Sequence, residues 1–141
     1  MPDGFALHEL SRAECLDRLR QARVGRIGVS VDALPAIFPA FVKMVGDSIV
    51  FRTAPGTKLH FATTGAIVAV EIDNVDETTG EGWSVLVRGV ASEIIDGPDF
   101  ESARTELETT WLEGAREHLV AVNTDLVTGR RLGHRASAPN P

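Results

Sequence analysis

Six apolar runs, each with the two-residue alternation of β-strands, set the strongest limit on how this 141-residue chain can fold. The alternation is clear in RIGVSV, while AIVAVEID is almost continuously apolar and β-branched, as in a central strand. The order of the runs lacks the regular strand–helix rhythm of a doubly wound sheet. The predicted strands are residues 26–31, 33–45, 48–53, 66–73, 83–95 and 117–132.

Glycine and proline positions indicate that these strands curve into a barrel. Gly46 and Asp47 give a tight-turn signal between the second and third runs, which predicts a hairpin. Pro35 and Pro39 suit an edge or a bulge, because neither can donate to a ladder. Gly89 lies inside the fifth run and marks a bulge or a sharp bend. The sequence therefore predicts a mainly β (α+β) fold, a small closed antiparallel barrel of six strands with flanking helices.

The first helix is predicted from LSRAECLDRLRQARVG, residues 10–25. Ser11 and Glu14 have the spacing of a capping box, and Gly25 is a stop signal. Cys15, the only cysteine, lies on the apolar side of this pattern and is expected to be buried and unreactive. The basic residues near the end of the helix suit its dipole and are read as a solvated flank.

Two further helices and one domain boundary follow from the remaining segments. Residues 57–65 are compatible with a short helix, and residues 96–115 with a longer one. Residues 1–132 are expected to form a single domain. The polar, proline-rich residues 133–141 are expected to be a disordered tail.

Composition excludes several classes of function. A net charge of −6 and a pI near 5.1 argue against a nucleic-acid partner, which requires a basic surface. No run approaches the ~20 apolar residues of a membrane span. A single cysteine cannot form an intrachain disulfide and fits a cytoplasmic location. The four histidines are scattered without the spacing of metal ligands, so no metal site is predicted.

A candidate anion site lies at residues 50–62, VFRTAPGTKLHFA. Arg52 and Thr53 end a strand, a Pro-Gly turn follows, and Thr57 and Lys58 begin the next element. Backbone amides at a helix start, two hydroxyls and two cations are groups that bind a terminal phosphate. A plain solvated turn is the alternative, because Pro-Gly turns commonly carry such residues.

The order of FRTAPGTKL, AIVAVEID, an acidic loop and GWSVLVRG resembles the short actinobacterial-type members of the pyridoxamine 5'-phosphate oxidase-like family. The resemblance extends over residues 10–131 and implies the FMN-binding split β-barrel and a homodimer with two equivalent sites. It implies that Arg52, Thr53, Thr57 and Lys58 hold the flavin phosphate. It does not extend to vitamin B6 synthesis, because the extra basic residues for that substrate are missing.

The resemblance also implies where the flavin ring lies. Ring contacts are expected from the strand that contains Phe41, and from Trp83 and Ser84 of the other subunit. Where family members often read Pro-Val-Asn-Tyr, this chain has Pro-Ala-Phe-Val at residues 39–42, which removes an amide and a phenol beside the ring. Packing in the barrel or the interface is the alternative role for Trp83.

Three functions remain open at this point. The first is a flavin-dependent oxidoreductase that binds FMN at the dimer interface and passes hydride or electrons to a small organic acceptor. The second is a reductase dependent on the deazaflavin coenzyme F420, whose acidic tail would need a basic groove, for which Arg23, Arg26 and Arg130 are candidates. The third is a non-catalytic protein that binds flavin or haem. No side chain is identified as a general acid or base, so the catalytic residues are unknown.

Overall fold

The computed structural model describes residues 5–53, 65–94, 97–107 and 118–134. These ranges contain eight strands and two helices. The strands are β1 (Phe5–Glu9), β2 (Val24–Val31), β3 (Leu34–Val45), β4 (Ser48–Thr53), β5 (Ile67–Val75), β6 (Gly82–Ile94), β7 (His118–Asn123) and β8 (Val127–His134). The helices are α1 (Arg12–Gln21) and α2 (Pro98–Glu106).

Six of the strands close into an antiparallel barrel in the order β6-β5-β2-β3-β4-β7. Closure comes from pairing between β6 and β7, which are the first and last strands of that order. β8 pairs with the free edge of β6, and β1 pairs with β8, so the sheet continues past the barrel. The predicted six-stranded antiparallel barrel with flanking helices is confirmed.

Gly89 lies where β6 changes its partner. On one edge, β6 pairs with β8 through Val87 and with β7 from Ala91 onward. A Cβ atom at position 89 would lie 3.3 Å from Cγ1 of Val122, which is a tight contact. Gly89 therefore lies where one strand passes from one half of the sheet to the other, and the bulge or sharp bend at this glycine stays a prediction.

The end of the chain differs from the prediction of one strand over residues 117–132. It forms two strands, because the hydroxyl and the amide of Thr124 both donate to the carbonyl of Asp47, at 2.7 and 3.0 Å, and a turn forms there. β1 was not predicted, and it pairs with β8 as far as His134. Gly133 and His134, expected in the tail, therefore lie in a strand.

Two of the predicted helices fall partly or wholly outside the described residues. Of the predicted short helix at residues 57–65, only Gly65 is described, and it lies in a turn; of the expected tail at residues 133–141, the part from residue 135 onward lies outside the described residues. Of the predicted helix at residues 96–115, the structure describes α2, which has Gly97 as its N-cap and Pro98 at its start.

The apolar core is divided between the inside of the barrel and the space beneath α2. Phe51 is fully buried in the barrel interior together with side chains from all six barrel strands and from α1. Val50, its neighbour, faces outward and packs with Ala103 of α2 and with Leu107, the residue that caps the end of this helix. Alternation along β4 thus assigns successive residues to two different environments.

α1 lies against β8, where Gly129 allows a close approach. A Cβ atom at this position would lie 2.6 Å from Sγ of Cys15 and 3.1 Å from the carbonyl oxygen of Ser84. Cys15 is buried, as predicted, and burial raises the pKa of its thiol. The predicted capping box of Ser11 and Glu14 is present at the start of this helix.

Candidate functional site

The end of β4 presents two predicted site residues on opposite faces of the strand. Thr53 is 2% exposed and shares the interior face with Phe51. Arg52 faces outward, and its Nη1 donates to the carbonyl oxygen of Leu107 at the end of α2. Thr57 and Lys58, the other two residues predicted to hold the phosphate, lie outside the described residues.

A cavity of about 310 Å³ lies beside this point, between the end of α1, the middle of β3 and the end of α2. Phe41, predicted to contact a flavin ring, is 39% exposed and lines the cavity. Leu107 also lines it, so the residue that accepts the hydrogen bond from Arg52 forms part of the wall. The described residues that line the cavity are Arg20, Gln21, Ala22, Arg23, Phe41, Val42, Lys43 and Leu107.

The cavity is electrostatically positive. Arg20, Arg23 and Lys43 line it, and none of the described residues that line it is a carboxylate. The C-terminal end of α1 contributes roughly half a negative charge, which is small beside three cations. Arg20 and Arg23 are exposed and form no ion pair with any described residue. An anionic ligand therefore fits this cavity.

Backbone contacts fix the position of this cationic wall. α1 ends at Gln21, and the amide of Ala22 donates to the carbonyl of Leu19 at 3.1 Å. The carbonyl of Arg23 accepts from the amide of Val42 at 3.0 Å. The chain therefore enters β2 with the arginine held next to the β3 residues that form the cavity.

Trp83 and Ser84 do not line this cavity. Trp83 packs against the barrel core, and the guanidinium of Arg18 lies 4.8 Å from the centre of its ring. It lines a separate cavity of about 320 Å³ together with two carboxylates, those of Asp76 and Glu81, and one arginine, Arg131. That charge balance does not suit a phosphate.

Ser84 points the other way from Trp83, because successive residues of a strand alternate. It is paired with Asp73 of β5 and Arg130 of β8 on the outer face of the sheet. Within one chain, Trp83 and Ser84 are therefore separate from the cavity beside Phe41. Their contact with a flavin held by another subunit stays a prediction.

Several residues of the site were not predicted. Lys43 lies two positions after Phe41, so strand alternation could have placed both on one face. Arg20 was read as part of a solvated flank, and its position in a cavity depends on how α1 packs.

A histidine–carboxylate pair was missed as well. His118 is the cross-strand partner of Thr53, and its Nδ1 is hydrogen-bonded to the carboxylate of Glu93. Since the pair joins two strands of the closed barrel, its formation depends on the register between β6 and β7.

A second charged group lies on the outer face of β2 and β5. Nη1 of Arg26 is 3.1 Å from Oδ2 of Asp73 and 3.5 Å from Oε1 of Glu71. Burial, together with the hydrogen bond and the charge of Asp73, raises the pKa of Glu71 to about 7, against the lowering effect of Arg26. Arg26, a candidate for a ligand contact, is thus paired with two carboxylates.

The described residues give no support for two other kinds of site. They contain no group of three or more histidine, cysteine or acidic residues placed to hold a metal ion. Neither of the helices in the described ranges is long and apolar enough to span a membrane.

Comparison with known proteins gives concordant matches. The model of a family described as pyridoxamine 5'-phosphate oxidase matches residues 11–131. The chain is 33% identical over 129 residues to the uncharacterized protein Rv0080 of Mycobacterium tuberculosis, with 88% of this chain and 84% of that protein covered.

Solved structures of two FAD-binding proteins are also similar. The FAD binding protein from Mycobacterium smegmatis is 36% identical with a TM-score of 0.70, over 89% of this chain and 98% of that one. The FAD-binding protein mll6688 from Mesorhizobium loti has a TM-score of 0.79 over 93% of this chain and 100% of that one. Its identity of 24% supports the shared fold alone.

Proposed function

Because the chain belongs to the pyridoxamine 5'-phosphate oxidase family, we propose that it is a flavin-dependent oxidoreductase that binds a flavin nucleotide beside the end of β4. The observation that carries the proposal is the positive cavity. Phe41 lines this cavity, and so does Leu107, whose carbonyl oxygen accepts a hydrogen bond from Arg52. The 36% identical protein from M. smegmatis binds FAD, which supports a flavin as the ligand.

The residues present fit such a cofactor. A flavin nucleotide combines a planar aromatic ring with an anionic phosphate. Phe41 offers an aromatic surface, and Arg52 offers a cation whose position is fixed by α2. Thr53, Thr57 and Lys58 complete the phosphate site in this proposal.

A bound flavin supplies hydride or electron transfer to a small organic acceptor. The tasks of the protein are then to bind, orient and shield. Arg52 and Lys58 neutralise the phosphate, while Phe41 contacts the ring and excludes water from one side. FMN is the simplest cofactor that satisfies these groups.

A homodimer is part of the proposal, because one sheet face is uncovered by the described elements. Ile37 of β3 and Ile67 of β5 are 72% and 76% exposed on this face. Exposed apolar patches of this kind are typical of interaction sites. In the dimer, the partner's Trp83 and the partner's Ser84 approach the flavin ring.

Cofactor binding tests the proposal directly. The purified chain is expected to show a flavin absorbance spectrum, or to bind FMN in titration calorimetry and bind riboflavin, which lacks the phosphate, more weakly. Lys58→Ala is expected to weaken FMN binding about tenfold to a hundredfold, because a hydrogen bond to a charged group contributes roughly 1.5–3 kcal/mol.

Arg104→Ala is the matched control for that experiment. Arg104 is an exposed cation of α2 that pairs with Glu101, so its loss changes the net charge equally without touching the proposed site. Wild-type protein that binds no flavin contradicts the proposal. Flavin that binds but is neither reduced nor reoxidised by any donor or acceptor tested indicates a carrier instead of an enzyme.

A further inference from the structure

The uncovered outer face of β2, β3, β5 and β6 has a charged row at its centre and apolar side chains on both sides of that row. The central row consists of residues that pair in order across the four strands: Pro39, Arg26, Glu71 and Leu86. Exposed apolar residues flank it, namely Val24 and Phe41 on one side and Ile37, Ile67 and Val90 on the other. A partner that covers this apolar face therefore covers the central row as well.

Two carboxylates share one arginine at this row. Nη1 of Arg26 lies 3.5 Å from Oε1 of Glu71 and 3.1 Å from Oδ2 of Asp73. One positive and two negative charges leave this cluster with an excess of one negative charge when both acids are ionised. Among the described residues, β6 presents Leu86 opposite Glu71 and Arg88 diagonal to it, and Arg88 is exposed and forms no ion pair with them.

We propose that two copies of the chain associate through this face, and that the cluster of Arg26, Glu71 and Asp73 makes the association depend on pH. Protonated Glu71 favours the dimer, and ionised Glu71 weakens it. The inference rests on the homodimer of the proposed function and adds a way in which assembly of its site is regulated.

The two sides of the central row match each other, which favours a second copy as the occupant of the face. On β3, Ile37 comes two residues before Pro39 and Phe41 comes two residues after it, so all three share one face. A two-fold axis that runs along the central row lays Phe41 of one copy on Ile37 of the partner subunit, and the reverse. An isologous interface requires this kind of self-complementarity.

The same arrangement places Glu71 opposite Glu71 of the partner subunit. The side chain of Glu71 is 34% exposed in the single chain, so water solvates part of it. Association removes this water, and two ionised carboxylates would then face each other without it, whereas two protonated ones carry no charge. The dimer therefore takes up protons as it forms.

The pH range of the effect follows from the single chain. Burial, together with the hydrogen bond and the charge of Asp73, already raises the pKa of Glu71 to about 7. Because association raises this pKa further, the dimer is most stable below about pH 7 and is weakened as the pH rises through that value.

The candidate flavin site lies at the edge of the same face. Phe41 flanks the central row and also lines the positive cavity. A second copy that packs on Phe41 therefore covers one side of the cavity. Protonation of Glu71 promotes this covering, so assembly of the site responds to pH.

Sedimentation of the purified full chain at pH 6 and pH 8, at constant ionic strength, tests the inference. The dissociation constant of the wild-type dimer is expected to rise about tenfold between these conditions, because two glutamates lose protons in each dimer. Glu71→Gln cannot ionise, so its dissociation constant is expected to be the same at both pH values. Asp73→Asn removes the charge that raises the pKa of Glu71, so the weakening is expected to begin at a lower pH.

Glu101→Gln, an exposed position of α2, makes the same change in net charge and is expected to keep the pH dependence of the wild type. A wild-type dimer that is equally stable at both pH values, or that tightens as the pH rises, overturns the inference but leaves the proposed function in place. Full pH dependence in Glu71→Gln does the same. A chain that is monomeric at both pH values overturns the inference and removes the homodimer, whereas a pH-dependent dimer that binds no flavin supports the inference and contradicts the proposed oxidoreductase.

Discussion

At the scale of single residues, the surroundings of a side chain determine what it can do. Arg52 and Thr53 are adjacent in sequence, yet one is bonded to α2 outside the barrel and the other is buried inside it. Their neighbour across the strand, His118, bonds to Glu93 on the interior face. In the proposed site, groups from both sides of the strand therefore surround the end of β4.

Glu71 provides a prediction at this scale. Its pKa is raised from 4.5 to about 7, chiefly by burial. At a pH between these two values, Glu71 is therefore protonated in the folded protein and ionised in the unfolded chain. The contribution of Glu71 to the free energy of unfolding is fully present below about pH 4.5 and is lost as the pH rises through about 7. Glu71→Gln cannot ionise, so it is expected to melt at a higher temperature than wild type at pH 8, and its advantage is expected to shrink by pH 5.

Thermal unfolding across this pH range checks that expectation. Glu101→Gln is the control, because Glu101 is an exposed carboxylate of α2 that pairs with Arg104. If both variants follow the wild-type pH dependence, the assignment of the raised pKa to Glu71 is incorrect.

At the scale of elements, α1 connects local sequence signals to the candidate site. Its start is fixed by the capping box, in which the amide of Glu14 donates to Oγ of Ser11 and the amide of Ser11 donates to the Glu14 carboxylate. Its other end carries Arg20 and leads to Arg23, which line the cavity. The stability of this helix therefore affects the geometry of the candidate site.

Ser11→Ala is expected to destabilise the protein by about 1 kcal/mol, because the first turn of α1 loses its side-chain acceptor. Urea unfolding gives the free energy of unfolding directly. Ser30→Ala, an exposed position of β2, is the matched control and is expected to change stability by less than about 0.5 kcal/mol. Equal effects of the two substitutions contradict a specific role for the cap.

At the scale of the whole molecule, the barrel leaves one broad sheet face uncovered by the described helices. β2, β3 and β5 contribute to this face, and it combines exposed apolar side chains with the cluster of Arg26, Glu71 and Asp73. A second copy of the chain that covers it would remove much apolar surface from water.

Ile37→Asp is expected to give a monomer in analytical ultracentrifugation, because a carboxylate at this position would be buried without a partner in the proposed interface. Leu126→Asp is the matched control, since Leu126 is an exposed apolar residue between β7 and β8. A wild-type protein that is already monomeric at micromolar concentration rules out the dimer.

Elements whose signals are local could be predicted from the amino-acid sequence alone. Alternation predicted the strands of the barrel, Ser11 and Glu14 predicted the start of α1, and the Gly-Asp turn at residues 46–47 predicted the hairpin of β3 and β4. Each depends on residues within a few positions of one another, because side-chain direction and capping are properties of the local backbone.

The features that depend on residues far apart in the chain became apparent only from the tertiary structure. Pairing of β6 with β7 closes the barrel, and the positive cavity is lined by Arg23, Lys43 and Leu107, which lie in three separate parts of the chain. In the same packing, Trp83 contacts the barrel core and stacks with Arg18, and it does not line that cavity. Periodicity along a strand predicts the face of the sheet on which a residue lies. The side chains that contact one another are determined by sheet register and helix packing. Register and packing depend on the burial of the whole apolar core, which involves residues far apart in the chain.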